Sequence, residues 1–296
     1  MFAYVSTVGR GKILEESSKI YKVDLASKKV LAQVRLPFSM FDLANPRGGV
    51  RGSRGIVILQ TEAGPQLWVA GFDGLFNLDM ETMFINKGYW FKNLRDIHNI
   101  YQHGNRILVT STWNNSIYEF DSESGDVFLI SDFSNKFINP LSGDTPDQYH
   151  LNSVCGELAL LNRQGVVVNV HTGSTVWSSP DFKYGHDLVP LPSGEIATCS
   201  SGKKSVVAFR VDKAGYRVLL DLQSVYPACS PAEGKLAIPG WTRGLTYSSE
   251  TGLLYVGAAP AQILVVDPGS SGLVDTIKIS DEVADSVFAI ALGNPG

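Results

Sequence analysis

The 296-residue sequence predicts an all-β fold, a six-bladed β-propeller closed by pairing of its N- and C-terminal strands in one blade, and three observations carry that prediction. The first is a recurring apolar run that ends in an acidic residue and a tight turn. It occurs at Val23-Asp24-Leu25, Leu78-Asp79-Met80, Phe120-Asp121-Ser122, Val211-Asp212-Lys213 and Val266-Asp267-Pro268, with Val170-His171-Thr172 in the corresponding place of the fourth unit. An Asp there folds its carboxylate onto the following amides and starts a hairpin. The second is the spacing of these turns, 55, 42, 50, 41 and 55 residues. The remaining interval matches only if the two ends of the chain meet, which is how a ring of modules closes. The third is a single His or Arg ahead of an apolar β-run in five units: Arg54, His98, His150, His186 and Arg243.

Taken in order, residues 4–8 read as a strand, and the final apolar run at 286–292 supplies the innermost strand of the same blade. The third unit shows the full repeat: strands at 99–102, 106–111, 116–120 and 126–130, separated by turns bearing Gly or Asn. Alternation of period two is visible in Ile117-Tyr118-Glu119-Phe120. No stretch has the pattern of a long amphipathic helix, so residues 1–296 are expected to form a single propeller domain. Radial closure leaves only short sheet edges and places stability in blade-on-blade burial.

Composition narrows the function classes. The chain is 44% hydrophobic and 18% charged, with 29 Gly and 14 Pro, which fits a compact β protein. Its net charge of −4 gives no electrostatic reason to expect nucleic acid or an anionic membrane. No apolar run reaches the length of a membrane span, and the first residues lack a basic n-region, so a soluble cytoplasmic protein is expected. Cys155, Cys199 and Cys229 have no metal-type spacing and read as reduced thiols. Gly9-Arg10-Gly11-Lys12 and Arg47-Gly48-Gly49-Val50-Arg51-Gly52 lack the helix or βαβ setting of a nucleotide loop, so no nucleotide cofactor is expected.

In a propeller the innermost strand of each blade lines the central channel, so the five His and Arg residues are expected at one mouth of it. Three long segments lead toward that mouth, at 45–54, 134–149 and 227–241. His98, His150 and His186 on consecutive blades have the chemistry to hold one divalent metal through neutral imidazoles, with Asp187, Asp96 and Asn152 as further ligands or orienting groups. Metal-free acid–base catalysis by the same imidazoles is equally open. Arg54 and Arg243 are suited to clamp a carboxylate or phosphate, and Trp241 is a candidate wall of the pocket. Each of these residues also has a plain structural use. A His at a strand start serves as a hydrogen-bonder, and an Arg there serves a neighbouring blade's carbonyls or acids. The turn aspartates, His171 and His103 are read as structural.

The ordered set Phe72-Asp73-Gly74-Leu75, Asp96-Ile97-His98, His150-Leu151-Asn152, His186, Arg243-Gly244-Leu245 and Val287-Phe288-Ala289-Ile290-Ala291-Leu292 resembles a bacterial β-propeller family of unknown function. The resemblance runs from about residue 72 to the end. It departs at His186-Asp187-Leu188, where the family has His-Ser-Pro. It implies the propeller fold and the same polar cluster, and brings no reaction with it. The functional expectation is an enzyme acting on a polar or anionic small molecule in the axial pocket, of lyase, isomerase or hydrolase type. The alternatives are a non-catalytic propeller binding a ligand or protein through its long-loop face, and a purely structural polar plug. The oligomeric state is not legible.

Overall fold

The computed structural model describes residues 1–9, 19–44, 52–134, 149–226, 238–280 and 285–294. Its strands make six four-stranded antiparallel sheets arranged as a β-propeller. From the axis outward, blade 1 is Asp285–Gly293, Phe2–Gly9, Lys19–Asp24 and Lys29–Arg35. Blade 2 is Ile56–Thr61, Gly64–Ala70, Gly74–Leu78 and Ile85–Trp90. Blade 3 is Ile97–His103, Arg106–Ser111, Ser116–Phe120 and Val127–Asp132, within a residue or two of the expected strands. Blade 4 is Leu151–Cys155, Leu158–Leu161, Val166–Asn169 and Thr175–Ser178. Blade 5 is Gly185–Pro190, Ile196–Ser200, Ser205–Phe209 and Tyr216–Asp221. Blade 6 is Thr242–Ser248, Leu253–Ala258, Gln262–Asp267 and Gly272–Lys278. Among the described residues the one α-helix is the single turn Met40–Leu43.

The ends close as the spacing requires. Asp285–Gly293 pairs antiparallel with Phe2–Gly9, with Phe2 opposite Gly293 and Gly9 opposite Asp285. Apolar side chains fall into six clusters, each filling the seam between two neighbouring blades. Tyr4 and Phe288 meet Ile58 and Phe76 between blades 1 and 2, and Val5 and Val287 meet Ile263 between blades 1 and 6. Every blade is thus buried on both faces, which is why the central strands read as apolar runs.

The turns work as expected at four places. Asp24, Asp79, Asp121 and Asp267 each accept from amides two or three residues on, for example Thr82 N to Asp79 Oδ1 at 2.6 Å. Two positions differ. In blade 4 the acceptor is Asn169, whose Oδ1 takes the amides of His171 and Thr172 at 3.0 and 2.9 Å. The amide oxygen of Asn does what a carboxylate does elsewhere, and His171 is merely an exposed turn residue. Asp212 instead grips Arg210, with Nε 2.9 Å from Oδ1 and Nη2 3.0 Å from Oδ2. Cys155 and Cys199 are buried free thiols, and burial pushes both up from the ordinary thiol range. Cys229 and most of the three long segments lie outside the described residues.

Candidate functional site

Each inner strand carries one residue at an equivalent place near its start, and in five blades a β-bulge marks it. The bulges fall at Ile97/Ile100, Leu151/Ser153, His186/Val189, Arg243/Leu245 and opposite Ser6/Thr7, where Phe288 is the residue left over. A bulge turns a side chain out of the pleat and re-aims it. Phe288 and Asn152 are the residues left over, and His98 falls within its bulge. His186 and Arg243 are the paired residues just before theirs, opposite Cys199 and Gly257. Arg54 takes the same place just ahead of Ile56 in blade 2. All six are buried, between 3% and 8% exposed.

Blade 4 therefore differs from the expected pattern. Its ring residue is Asn152, and His150 stands two positions earlier, where blade 3 has Asp96, blade 5 has Tyr184 and blade 2 has Gly52. All four of these have positive φ, 50° at His150, 56° at Asp96, 66° at Tyr184 and 88° at Gly52. His150 still joins the cluster, because its ring meets that of His98 edge to face at 4.7 Å.

A second repeated device fixes the imidazoles. The residue after the second strand of a blade donates to the carbonyl one place ahead of the ring residue in the next blade. Thr112 Oγ1 donates to Leu151 O at 2.6 Å, Asn162 Nδ2 to Gly185 O at 2.6 Å, and Ser201 Oγ to Thr242 O at 2.5 Å. With their single hydrogens spent, the Thr112 and Ser201 hydroxyls are acceptors toward their own blade's imidazole. His98 Nδ1 lies 2.9 Å from Thr112 Oγ1 and 2.9 Å from Asp96 O. His186 Nδ1 lies 2.8 Å from Ser201 Oγ, and the Tyr184 carbonyl faces it as Asp96 faces His98. We assign both rings as Nδ1–H tautomers on this network. No motif announced Thr112, Asn162 or Ser201 in the sequence, since Ser and Thr are common at strand ends. Only the register of neighbouring blades reveals them.

The remaining nitrogens are not equivalent. Arg54 Nη1 lies against the His98 ring, 3.0 Å from Nδ1 and 3.3 Å from Nε2, so a guanidinium covers both nitrogens of this imidazole. His186 Nε2 has no hydrogen bond among the described residues. Arg54 is itself neutralised by Asp96, Nη2 to Oδ1 at 2.8 Å, in an ion pair with both side chains buried. That is the acid-binding use foreseen for an Arg here, and it commits Asp96 to Arg54. Phe288 lies between the two arginines, 5.6 Å from the Arg54 guanidinium and 5.4 Å from that of Arg243. Arg243 also stacks over Trp241 at 4.5 Å, and Trp241 stands edge-on to His186 at 6.4 Å.

The electrostatics keep His186 neutral. Burial, and then the charges of Arg243, His150 and His98, hold its pKa well below the ordinary imidazole value. Asn152 adds a donor to the same ring, because its Nδ2 is buried without a hydrogen-bond partner among the described residues. A buried orphan N–H is rare and calls for an acceptor that the described residues do not supply. Asp187 is placed differently from its ring neighbours. Its Oδ2 accepts from Gly244 N at 2.8 Å across the blade 5–6 seam, and the side chain lines the axial channel beyond the ring. Among the described residues no group of three His, Cys, Asp or Glu side chains is arranged to hold a metal ion.

No family model matches the chain, and no curated protein matches it. Solved structures do. A chain of a nidogen/laminin complex superposes with a TM-score of 0.64 at 9% identity, covering 98% of this chain and 97% of that one. A protein of unknown function from Bacteroides caccae gives 0.64 at 12% identity, covering 98% of both. Streptogramin B lyase gives 0.54 at 9% identity, covering 94% of this chain and 84% of that one. Identities this low speak for the β-propeller fold alone.

Proposed function

We propose that the protein is an enzyme moving a proton on a small anionic molecule, by lyase or isomerase chemistry, with His186 Nε2 as the base. The observation that supports this best is the asymmetry of the two locked imidazoles. Both are Nδ1–H tautomers, but the His98 ring has the Arg54 guanidinium 3.0 Å and 3.3 Å from its two nitrogens, while His186 Nε2 has no hydrogen bond among the described residues. Arg243 lies near enough to depress the basicity of His186 and is placed to hold a carboxylate or phosphate beside it. Asn152 Nδ2 offers a hydrogen bond to the oxygen on which charge develops. Arg54, compensated by Asp96, orients His98 and with it the neighbouring His150. The propeller shared with streptogramin B lyase shows that this architecture can carry a lyase, and contributes no residue to the reading. Kinship with the bacterial propeller family of unknown function belongs to the same proposal, resting on the motifs around these residues.

A divalent metal on His98, His150 and His186 has less support. The Nδ1 atoms of His98 and His186 face Thr112 and Ser201, His98 Nε2 faces a cation, and two guanidinium groups border the cluster.

The test has two readouts. Small carboxylates and phosphates are screened by thermal shift against wild type and Arg243→Gln, and each binder is incubated in deuterium oxide to follow exchange of its carbon-bound hydrogens. The expected result is binding lost in Arg243→Gln and exchange slowed by about 100- to 10,000-fold in His186→Asn with binding retained. A panel in which no anion binds, or exchange untouched by His186→Asn, overturns the proposal. About one equivalent of transition metal by mass spectrometry, lost in His98→Ala, would establish the metal reading instead.

A further inference from the structure

Each guanidinium of the ring has an acid from a neighbouring blade, and the two acids are used differently. Asp96 meets Arg54 directly, with Oδ1 2.8 Å from Nη2. Asp187 follows the base His186 in blade 5 and reaches across the seam to blade 6, where its Oδ2 accepts from Gly244 N at 2.8 Å. Gly244 is the residue after Arg243, so one carboxylate ties the backbone behind the base to the backbone behind the anion-binding guanidinium. That backbone has little room to shift. Gly244 has a φ of 69°, and a methyl group on it would lie 2.8 Å from Ala289 Cα. The Asp187 carboxylate is therefore held at a fixed place beside Arg243.

The fold alone does not require an acid here. In blade 3 the residue after the ring position is Asn99, whose Oδ1 makes a like bond to Val154 N at 3.1 Å across the blade 3–4 seam. An amide stands where the next blade's ring residue is the neutral Asn152, and an acid where it is Arg243. The groups facing Asp187 are Arg243 from blade 6 and the Cys199 thiol from its own blade, which burial keeps protonated. Burial raises Asp187 to about 7, with the Gly244 amide and the Arg243 charge acting the other way. In mildly alkaline solution it is ionised and offsets Arg243, as Asp96 offsets Arg54.

We infer, resting on the anion site proposed above, that Asp187 sets the charge of the anion accepted there: a singly charged carboxylate, with dianions turned away. The attraction of Arg243 and the repulsion of Asp187 both grow in proportion to the anion's charge, so they offset for any anion. The cost of taking the anion out of water grows with the square of its charge, and nothing in the Arg243–Asp187 pair compensates that increase. A carboxylate is admitted through the directed hydrogen bonds of Arg243. A phosphate monoester, doubly charged above its second pKa of about 6, is excluded.

The test compares methanesulfonate and sulfate, two tetrahedral anions of similar shape that differ by one charge. Each is titrated into the full chain at about pH 8, above the Asp187 midpoint, and followed by the Trp241 indole NMR signal, since Trp241 stacks on Arg243. Wild type is expected to bind sulfate no more tightly than methanesulfonate, a result that needs no variant. Asp187→Asn keeps an acceptor for Gly244 N, as Asn99 does for Val154 N. It is expected to tighten methanesulfonate by about threefold and sulfate by about tenfold, because the repulsion removed doubles with the anion's charge. A merely structural role for Asp187 would weaken both. Wild type that prefers sulfate, or Asp187→Asn that leaves the two affinities unchanged or lowers them, overturns the inference. Loss of both anions in Arg243→Gln alongside such a result leaves the anion site standing, whereas no binding by wild type or Asp187→Asn overturns the site and the inference together.

Discussion

At the scale of the residue, the Ser201 hydroxyl decides which nitrogen of His186 carries the proton. Its own hydrogen is committed to Thr242 O, so the imidazole must donate from Nδ1. Ser201→Ala removes that acceptor and leaves the Tyr184 carbonyl alone to hold the tautomer. Nitrogen-15 NMR of the His186 ring is expected to show a mixture of tautomers in the variant and one tautomer in wild type, with kcat falling more than KM rises. A merely structural role would leave the nitrogen shifts unchanged. The two ionisable neighbours at 186 and 187 also give stability opposite pH slopes. His186 binds its proton more weakly folded than unfolded, so the folded state loses stability as pH falls below the ordinary imidazole value of about 6.5. Asp187 binds its proton more tightly when folded, so stability declines as pH rises from the ordinary carboxylate range to about 7 and is level above it. Asp187→Asn is therefore expected to raise Tm above neutral pH and leave it little changed in acid, read by thermal denaturation across pH.

At the scale of the element, the inner strand carries the information and its first residues carry the strain. Blades were legible in the sequence because both faces of every sheet are buried, which makes apolar runs, and because Asp turns punctuate them. The ring was legible in four of its six members, Arg54, His98, His186 and Arg243, each a polar residue ahead of such a run. Blade 4 misled because His150-Leu151-Asn152 holds two polar residues two places apart. Position two apart on a strand shares a face, so pattern alone favours the His, and only the bulge and the Thr112–Leu151 bridge show that Asn152 is the ring residue. Phe288 was legible as part of the closing strand but not as the aromatic between two arginines. Asp96 was read as a candidate for the metal's surroundings, whereas it neutralises Arg54 from a φ of 56°. Removing one member of a buried ion pair leaves an uncompensated charge, at about 3–5 kcal/mol. Asp96→Asn keeps a side chain that tolerates positive φ and removes only the charge. It is expected to cost that much in denaturant unfolding, and Arg54→Met/Asp96→Asn together should cost less than Asp96→Asn alone.

At the scale of the whole molecule, fold and site share one closure. The last strand, Asp285–Gly293, fills two of the six seams, with Phe288, Ala289 and Ala291 against blade 2 and Val287 and Ile290 against blade 6. The same strand places Phe288 between Arg54 and Arg243. Blade 6 meets it so closely that a methyl group on Gly257 would lie 2.2 Å from Val287 Cγ1 and 2.3 Å from Arg243 O. Gly257→Ala must therefore push the closing strand and the Arg243 backbone apart together, and is expected to lower stability and anion binding in parallel. Closure by register, rather than by the order of the chain, has a sharper consequence. Phe2 lies opposite Gly293, so a short linker can join the two ends of this chain without disturbing a seam. New ends opened at the exposed His103-Gly104-Asn105 hairpin would leave all six clusters and the ring intact. That permutant is expected to fold cooperatively with a Tm within a few degrees of wild type and to keep its ligand binding. Deleting residues 285–296 instead removes the strand from both seams, and is expected to yield a chain without a cooperative transition. A permutant that fails to fold while the truncated chain melts cooperatively would show that the ring does not depend on this closure.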